Sequence, residues 1–394
     1  MNFVFSLARL PRIEFGAGAI RKTATLAASF GRKALIVTGA RSFPGGPHWS
    51  AFQDSLKQHH INWNLVQVAG EPSPELVDQV VRQYKDQHID VVLGIGGGSA
   101  LDAAKAVAGL LRPGNSVLDH LEGVGPELPY RGPTTPFIAV PTTAGTGSEA
   151  TKNAVLSSHG AEGFKKSFRD DKLVAEYAIV DPDLLTSCPP PVLASNGMDA
   201  FTQLLESYVS TKANPFTDAL ALSGLEAARD GLLPWYEGTA DAGTCRNRMA
   251  YAALLSGITL AQVGLGSVHG LASPLGAFFP IPHGVVCGTL VAAATQANIA
   301  AMRAREPNNP ALKRYADVGR LLSRQALPDE AAISALLETL EDWTRRLRLP
   351  RLSVYGISPN DFERIATNSR GSSMKTNPIV LSDSEITQVL AARL

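Results

Sequence analysis

The stretch DVVLGIGGGSALDAAKAVAGLL, Asp90–Leu111, decides the fold of the first half of this chain. Its opening, Asp90–Gly96, is an apolar run rich in β-branched residues and reads as a strand. From Ser99 to Leu111 small and apolar residues recur at helical spacing. Glycines join the two. A strand that runs through glycines straight into a helix lets a phosphate approach the backbone. The first N–H groups and the positive dipole end of the helix then face that phosphate. A tight strand-to-helix turn also needs glycines for its own sake, so the motif alone leaves both readings open. It is neither GxGxxG nor a Walker sequence. Ser99 and Asp102 have the spacing of a capping box.

Outward from this stretch the same rhythm repeats. KALIVTG (Lys33–Gly39) and NWNLVQV (Asn62–Val68) read as strands, and PELVDQVVRQYKDQH (Pro74–His88) as a helix. On the other side PFIAVPT (Pro136–Thr142) is a further strand. Strand, helix and strand in alternation predict parallel βαβ units in an open α/β sheet. After CPPP (Cys188–Pro191) the texture changes to long Ala/Leu-rich helical pattern. The expectation is an α/β domain over residues 1–190 and an all-α domain over 191–394. A second polar glycine loop, PTTAGTGSEAT (Pro141–Thr151), follows a strand. Two such loops at strand C-termini favour one dinucleotide site over two surface loops.

The first strand ends Gly39-Ala40-Arg41-Ser42. No acidic residue stands there to take a ribose 2′-hydroxyl, whereas Arg and Ser suit a 2′-phosphate. This favours NADP over NAD, against the plainer reading of Arg41 as a solvated loop charge.

Composition narrows the function classes. Lys+Arg and Asp+Glu both number 36 in 394 residues, so no basic surplus points to nucleic acid or an anionic membrane. Three separated cysteines form no CxxC pair, which fits a reducing cytoplasm better than a disulfide scaffold. The N-terminus lacks the pattern of a signal peptide. The most apolar late stretch, Val285–Met302, is broken by polar residues and reads as a buried helix rather than a membrane span.

The second half holds a sparse set of metal-capable residues. In NGMDAFTQLLESYVS (Asn196–Ser210), Asp199 and Gln203 lie one helical turn apart. The helical half contains two histidines, His269 and His283, fourteen residues apart and each followed by glycine. On the residues alone these are either ligands or satisfied core histidines, and spacing does not show that they converge.

Taken together, PRIEFGAGA, GGGSALDAAKA, PTTAGTGSEAT, AIVDPDLL, GMDAFTQLLESYVS and VHGLASPLGAFFPIPHG resemble, in order and over nearly the whole chain, the iron-containing (group III) alcohol dehydrogenase family. The resemblance implies a Rossmann-like NAD(P)-binding α/β domain, a helical metal-binding domain and an active site in the cleft between them. It implies NAD(P)-linked oxidation of small primary alcohols, or reduction of aldehydes, at one divalent ion, Fe2+ or Zn2+. It also implies a homodimer or larger homo-oligomer. Asp199, His269 and His283 fall on three of the family's four ligand positions. Gln203 falls on the remaining one, where most members have His, and its amide oxygen is a weaker donor. Ser273 stands where many members have a proton-relaying histidine. Gly97, Gly98 and Ser99, with Asp102 in the same motif, fall where the pyrophosphate is held. Thr142, Thr143 and Thr146 fall near the phosphate or nicotinamide ribose, as does Lys165, with Lys166 the alternative across a variable segment.

Other readings stay in view. One is a metal-independent, maleylacetate reductase-like enzyme. Another is a lyase on the dehydroquinate synthase-like scaffold. A third is a cofactor-binding protein without catalysis. Phe278 and Phe279 suggest an apolar pocket wall or plain core. Arg370 and Lys375 suggest either contacts to an anionic (phosphono-, sulfo- or carboxy-) aldehyde or solvated charges.

Overall fold

The computed structural model describes residues 4–160 and 163–394. The chain divides into two compact units. One comprises residues 8–158 and 165–188, and the bulk of the other is Pro189–Leu394.

The first unit is built on a six-stranded sheet of β1 (Arg12–Phe15), β2 (Lys33–Gly39), β3 (Asn62–Val68), β4 (Val91–Gly96), β5 (Phe137–Pro141) and β8 (Tyr177–Val180). Their order is β1-β8-β5-β4-β2-β3, and the paired neighbours run parallel. β4 is buried along its whole length, as its unbroken apolar run requires in a sheet covered on both faces. Its Leu93 sits in register with Ile36 of β2 and Ile138 of β5. Helices α1 (Thr23–Ala28), α2 (Trp49–Gln58), α3 (Pro74–Tyr84) and α4 (Gly98–Leu110) lie between the early strands in sequence. A Cβ on Gly94 would stand 2.7 Å from the Ala104 Cβ, so this glycine lets α4 press against the sheet. A separate two-stranded sheet joins β6 (Asn153–Ser158) and β7 (Phe164–Arg169).

From β2 the chain adds β3 on one side, then β4, β5 and β8 on the other. The reversal falls between β2 and β4, whose C-terminal ends meet there. A Cβ on Gly96 would be 3.2 Å from the backbone nitrogen of Gly39. Such a switch point opens a crevice beyond the strand ends, where open α/β sheets bind ligands.

Three details depart from the sequence expectation. The helix from Pro74 ends at Tyr84, and a 3-10 turn over Lys85–Gln87 leads to His88 in the left-handed region. Ser99 and Asp102 form no capping box. Gly97 caps α4 without a side chain, Ser99 lies inside the helix, and Ser148 occupies the Asp102 carboxylate. β1, β6, β7 and β8 also add to the strands read from the sequence. They are only four to six residues long, and β7 (FKKSFR) is half charged and lacks a regular apolar alternation.

The second unit is helical. Its helices are α5 (Pro190–Val209), α6 (Pro215–Glu237), α7 (Ala242–Val263), α8 (Ser267–Phe278), α9 (His283–Arg305), α10 (Pro310–Ser323), α11 (Asp329–Arg346), α12 (Phe362–Asn368) and α13 (Asp383–Ala392). Prolines start α5 because its first turn has no use for their missing N–H. From Leu193 to Val209 α5 is buried on nearly every side, packed by α6, α7 and α9. Glycines set the closest approaches. A Cβ on Gly197 would strike Leu232 of α6 at 2.3 Å. On α9, a Cβ on Gly284 would stand 2.7 Å from the Ser195 carbonyl oxygen, and one on Gly288 would stand 2.8 Å from the Met198 Cβ. α9 is long and apolar enough to cross a membrane, yet 78% of its most apolar window is buried inside the protein, as a core helix would be.

The α9–α5 contact at Gly284 meets main chain, which cannot rotate away. Gly284→Ala is expected to destabilise the helical unit by about 1–3 kcal/mol through overpacking. Thermal unfolding of the variant against the wild type measures this.

Candidate active site: a metal centre and paired glycine loops

Three helices bring the metal-capable residues together. Asp199, from α5, is 1% exposed. His269 comes from the first turn of α8, and His283 opens α9. The Nε2 of His269 lies 3.2 Å from Asp199 Oδ1, and that of His283 lies 3.7 Å from it. One turn after His283, Cys287 places its Sγ 3.5 Å from His269 Nε2 and 3.8 Å from His283 Nε2. One donor atom from each of Asp199, His269, His283 and Cys287 lies within 4.8 Å of the other three. Asp199 Oδ2 is buried and has no hydrogen-bond partner among the described residues. A buried carboxylate oxygen left unsatisfied is costly. One left so amid two imidazoles and a thiol fits a divalent cation. These four residues would hold it.

The electrostatics agree. Burial pushes the Asp199 carboxyl up, but His283 and His269 outweigh it and hold the group at about 2. Burial disfavours a charged His269, yet its contacts with Cys287, Asp199 and Glu206 raise its pKa well above the ordinary value. Burial also pushes the Cys287 thiol up to about 12. Charge and counter-charge thus face each other at Asp199 and His269, both buried, with half-buried His283 at the edge.

Two residues of this centre escaped the sequence reading. Cys287 is one. Its signal was the four-residue step from His283, which puts both on one helix face. Glu206 is the other. Its Oε2 lies 2.6 Å from His269 Nδ1, and its Oε1 accepts the Val268 N–H at 2.7 Å. It therefore orients the ring and caps the start of α8 at once, the carboxylate–histidine arrangement common behind metal ligands. Its signal was the seven-residue step from Asp199, two turns along α5.

Gln203 is buried between them. Its Nε2 donates to Asp199 Oδ1 at 3.3 Å, and its Oε1 accepts from the Ser256 hydroxyl of α7 at 2.8 Å. Ser273 lies one turn beyond His269 on α8, half-buried. Phe278 carries the Arg364 guanidinium over its ring at 3.7 Å. Arg370 is bound to the Leu381 carbonyl and to the Asp383 carboxylate, while Lys375 is exposed.

In the first unit the two glycine loops meet. A Cβ on Gly97 would be 3.3 Å from Thr143 Oγ1, and one on Gly98 would be 2.7 Å from the Thr146 side chain. Only glycines let the threonine loop close over the start of α4. The Thr142 N–H donates to the Gly96 carbonyl at 2.9 Å, tying the two strand ends together. Beneath the loops lies Lys105, a fully buried residue to which the sequence reading gave no role. Its Nζ donates to the carbonyls of Ser148 and Asn153 at 2.8 and 2.7 Å, and to Thr151 Oγ1 at 3.0 Å. Burial lowers its pKa to about 8, against the pull of Asp102 and Glu149. Ser148 Oγ donates to Asp102 at 2.5 Å, so Asp102 faces the loop's underside. Gly39 ends β2, and Arg41 and Ser42 are exposed beyond it. Lys165, on β7, is mostly buried and ion-paired with Glu71, which also accepts from Ser157. Lys166 lies beside Gly123.

Sequence comparison fits this geometry. Residues 11–182 match the family described as iron-containing alcohol dehydrogenase, and residues 193–394 match the C-terminal region of that family. The chain belongs to the iron-containing alcohol dehydrogenase family. It is 31% identical to alcohol dehydrogenase 4 of Saccharomyces cerevisiae over 97% of this chain and 96% of that one. It is 30% identical to the NADPH-dependent butanol dehydrogenase of Clostridium saccharobutylicum over 90% of this chain and 88% of the relative. Among solved structures, a 1,3-propanediol oxidoreductase superposes with a TM-score of 0.89 at 25% identity, covering 99% and 100% of the two chains. The protein is therefore an oxidoreductase acting on CH–OH donors, in a family that uses NAD(P) and a divalent metal.

If Glu206 holds the His269 ring for metal binding, Glu206→Gln is expected to weaken the metal about 10- to 100-fold. Competition with a chromophoric chelator measures this, with circular dichroism to check that α8 remains helical.

Proposed function

We propose that this enzyme is a metal-dependent reductase of small aldehydes, and in reverse a dehydrogenase of small primary alcohols, with NADP(H) as the preferred cofactor. The observation that carries the reading is the cluster of buried Asp199, His269 and Cys287 with half-buried His283, and its unsatisfied carboxylate oxygen. When bound, the ion supplies Lewis-acid polarisation of the substrate oxygen and the nicotinamide supplies the hydride.

The chain's own residues do the rest. Asp199 and the histidines fix the donor set in a dry pocket, where electrostatic interactions are strong. Glu206 keeps the His269 ring in one orientation and one tautomer. Gln203 braces Asp199 from the other side. Gly97 and Gly98, with the N–H groups at the start of α4, take the pyrophosphate. Thr143 and Thr146 close over it. Lys105 keeps the threonine loop in place. Arg41 and Ser42 receive a ribose 2′-phosphate, a preference shared with the NADPH-dependent butanol dehydrogenase. Ser273 passes the final proton through its hydroxyl or a water.

An anionic aldehyde is not favoured. Of the two cations invoked for it, Arg370 is committed to Asp383 and Leu381, and Lys375 is exposed.

The test is metal analysis of protein purified without chelator, paired with NADPH-dependent reduction of short aldehydes before and after EDTA. One ion per chain is expected, with activity lost to EDTA and restored by Fe2+ or Zn2+. Activity that survives complete metal removal sinks the reading. Asp199→Ala is expected to abolish turnover while NADPH binding, followed by nicotinamide fluorescence, stays intact. For the cofactor, Arg41→Ala is expected to raise KM for NADPH about tenfold with little change for NADH. That is the loss of one charge-assisted hydrogen bond.

A further inference from the structure

We propose that Cys287 is itself a ligand of the ion, so that this centre is an aspartate, two histidines and a thiolate rather than a set completed by Gln203. The inference rests on the metal-dependent reading above and concerns which residue completes it.

Two observations carry it. First, the Cys287 sulfur is within 3.8 Å of both histidine Nε2 atoms and belongs to the same donor cluster as Asp199. His283 and Cys287 are one turn apart on α9, so a single helix face presents both. Second, the Gln203 oxygen is turned away. A carboxylate can only accept, so the Gln203 NH2 must face Asp199, and its oxygen then faces Ser256, which holds it.

A buried cysteine among apolar neighbours acts as a small hydrophobe. Here the sulfur meets imidazoles. When the ion binds, the S–H proton leaves to solvent and the sulfur becomes a metal ligand. Thiolate is a soft donor and favours zinc over iron(II). Despite its family's name, this protein is thus built for zinc.

Cobalt(II) titrated into the EDTA-stripped protein tests this. The wild type is expected to bind one cobalt per chain and to show a near-ultraviolet thiolate-to-cobalt charge-transfer band. Cys287→Ser is expected to keep cobalt but lose the band, and to weaken zinc on the order of tenfold more than iron(II). Gln203→Ala is expected to keep the band. The double variant Cys188→Ser/Cys245→Ser, which leaves α9 untouched and Cys287 as the sole thiol, should also keep it, and this reports even if Cys287→Ser fails to fold. Stoichiometric cobalt without the band, or a band lost in the double variant, overturns Cys287 as ligand and leaves the metal centre standing. No cobalt binding by the wild type overturns the metal-dependent reading itself.

Discussion

The helical unit depends on how closely α9 can approach α5. Gly284 and Gly288 lie directly over the backbone and Cβ of α5, where any larger side chain would push the helices apart. His283 and Cys287 precede these glycines by one position each. The glycine line sets the distance, and the adjacent line carries the chemistry across it to Asp199. A centre whose donor atoms must agree within a few tenths of an ångström cannot rest on side-chain packing alone, because side chains repack. Here the spacing rests on main-chain contact.

The two units handle buried charge in opposite ways. In the α/β unit one cation, Lys105, is buried among carbonyls and hydroxyls, with Asp102 and Glu149 nearby. It pins the loop from beneath through the Ser148 carbonyl and the Thr151 hydroxyl. In the helical unit two buried carboxylates, Glu206 and Asp199, share the buried imidazole of His269. Glu206 is satisfied by an imidazole and a backbone N–H, whereas Asp199 keeps one oxygen unsatisfied. The first arrangement is closed. The second is open at one atom.

Much of this was legible in sequence. β2 and β3 run over the ranges their sequence patterns marked, β2 as an apolar run buried in the sheet and β3 as a half-exposed edge strand. β1, β6, β7 and β8 carried little. The two glycine loops were recognisable as motifs, but not that Gly97 and Gly98 are glycines because Thr143 and Thr146 sit on them. The capping box at Ser99 failed because α4 starts one residue earlier, with Gly97 as its cap, and a distant residue, Ser148, holds Asp102. The centre shows the same division. Asp199, His269 and His283 stand in motifs, whereas Cys287 and Glu206 stand out only once helical periodicity is counted from His283 and Asp199. Convergence of three helices separated by dozens of residues leaves no local trace.

Asp199, Gln203 and Glu206 occupy steps of four and three along α5, forming one stripe on a helix buried nearly all round. Each residue advances a helix by about 100°. Adding or deleting a single residue anywhere between them would swing part of the stripe into α6 or α7. The segment Asp199–Glu206 can therefore diverge only by replacement at fixed length. Within this segment the centre can change its chemistry but not its spacing.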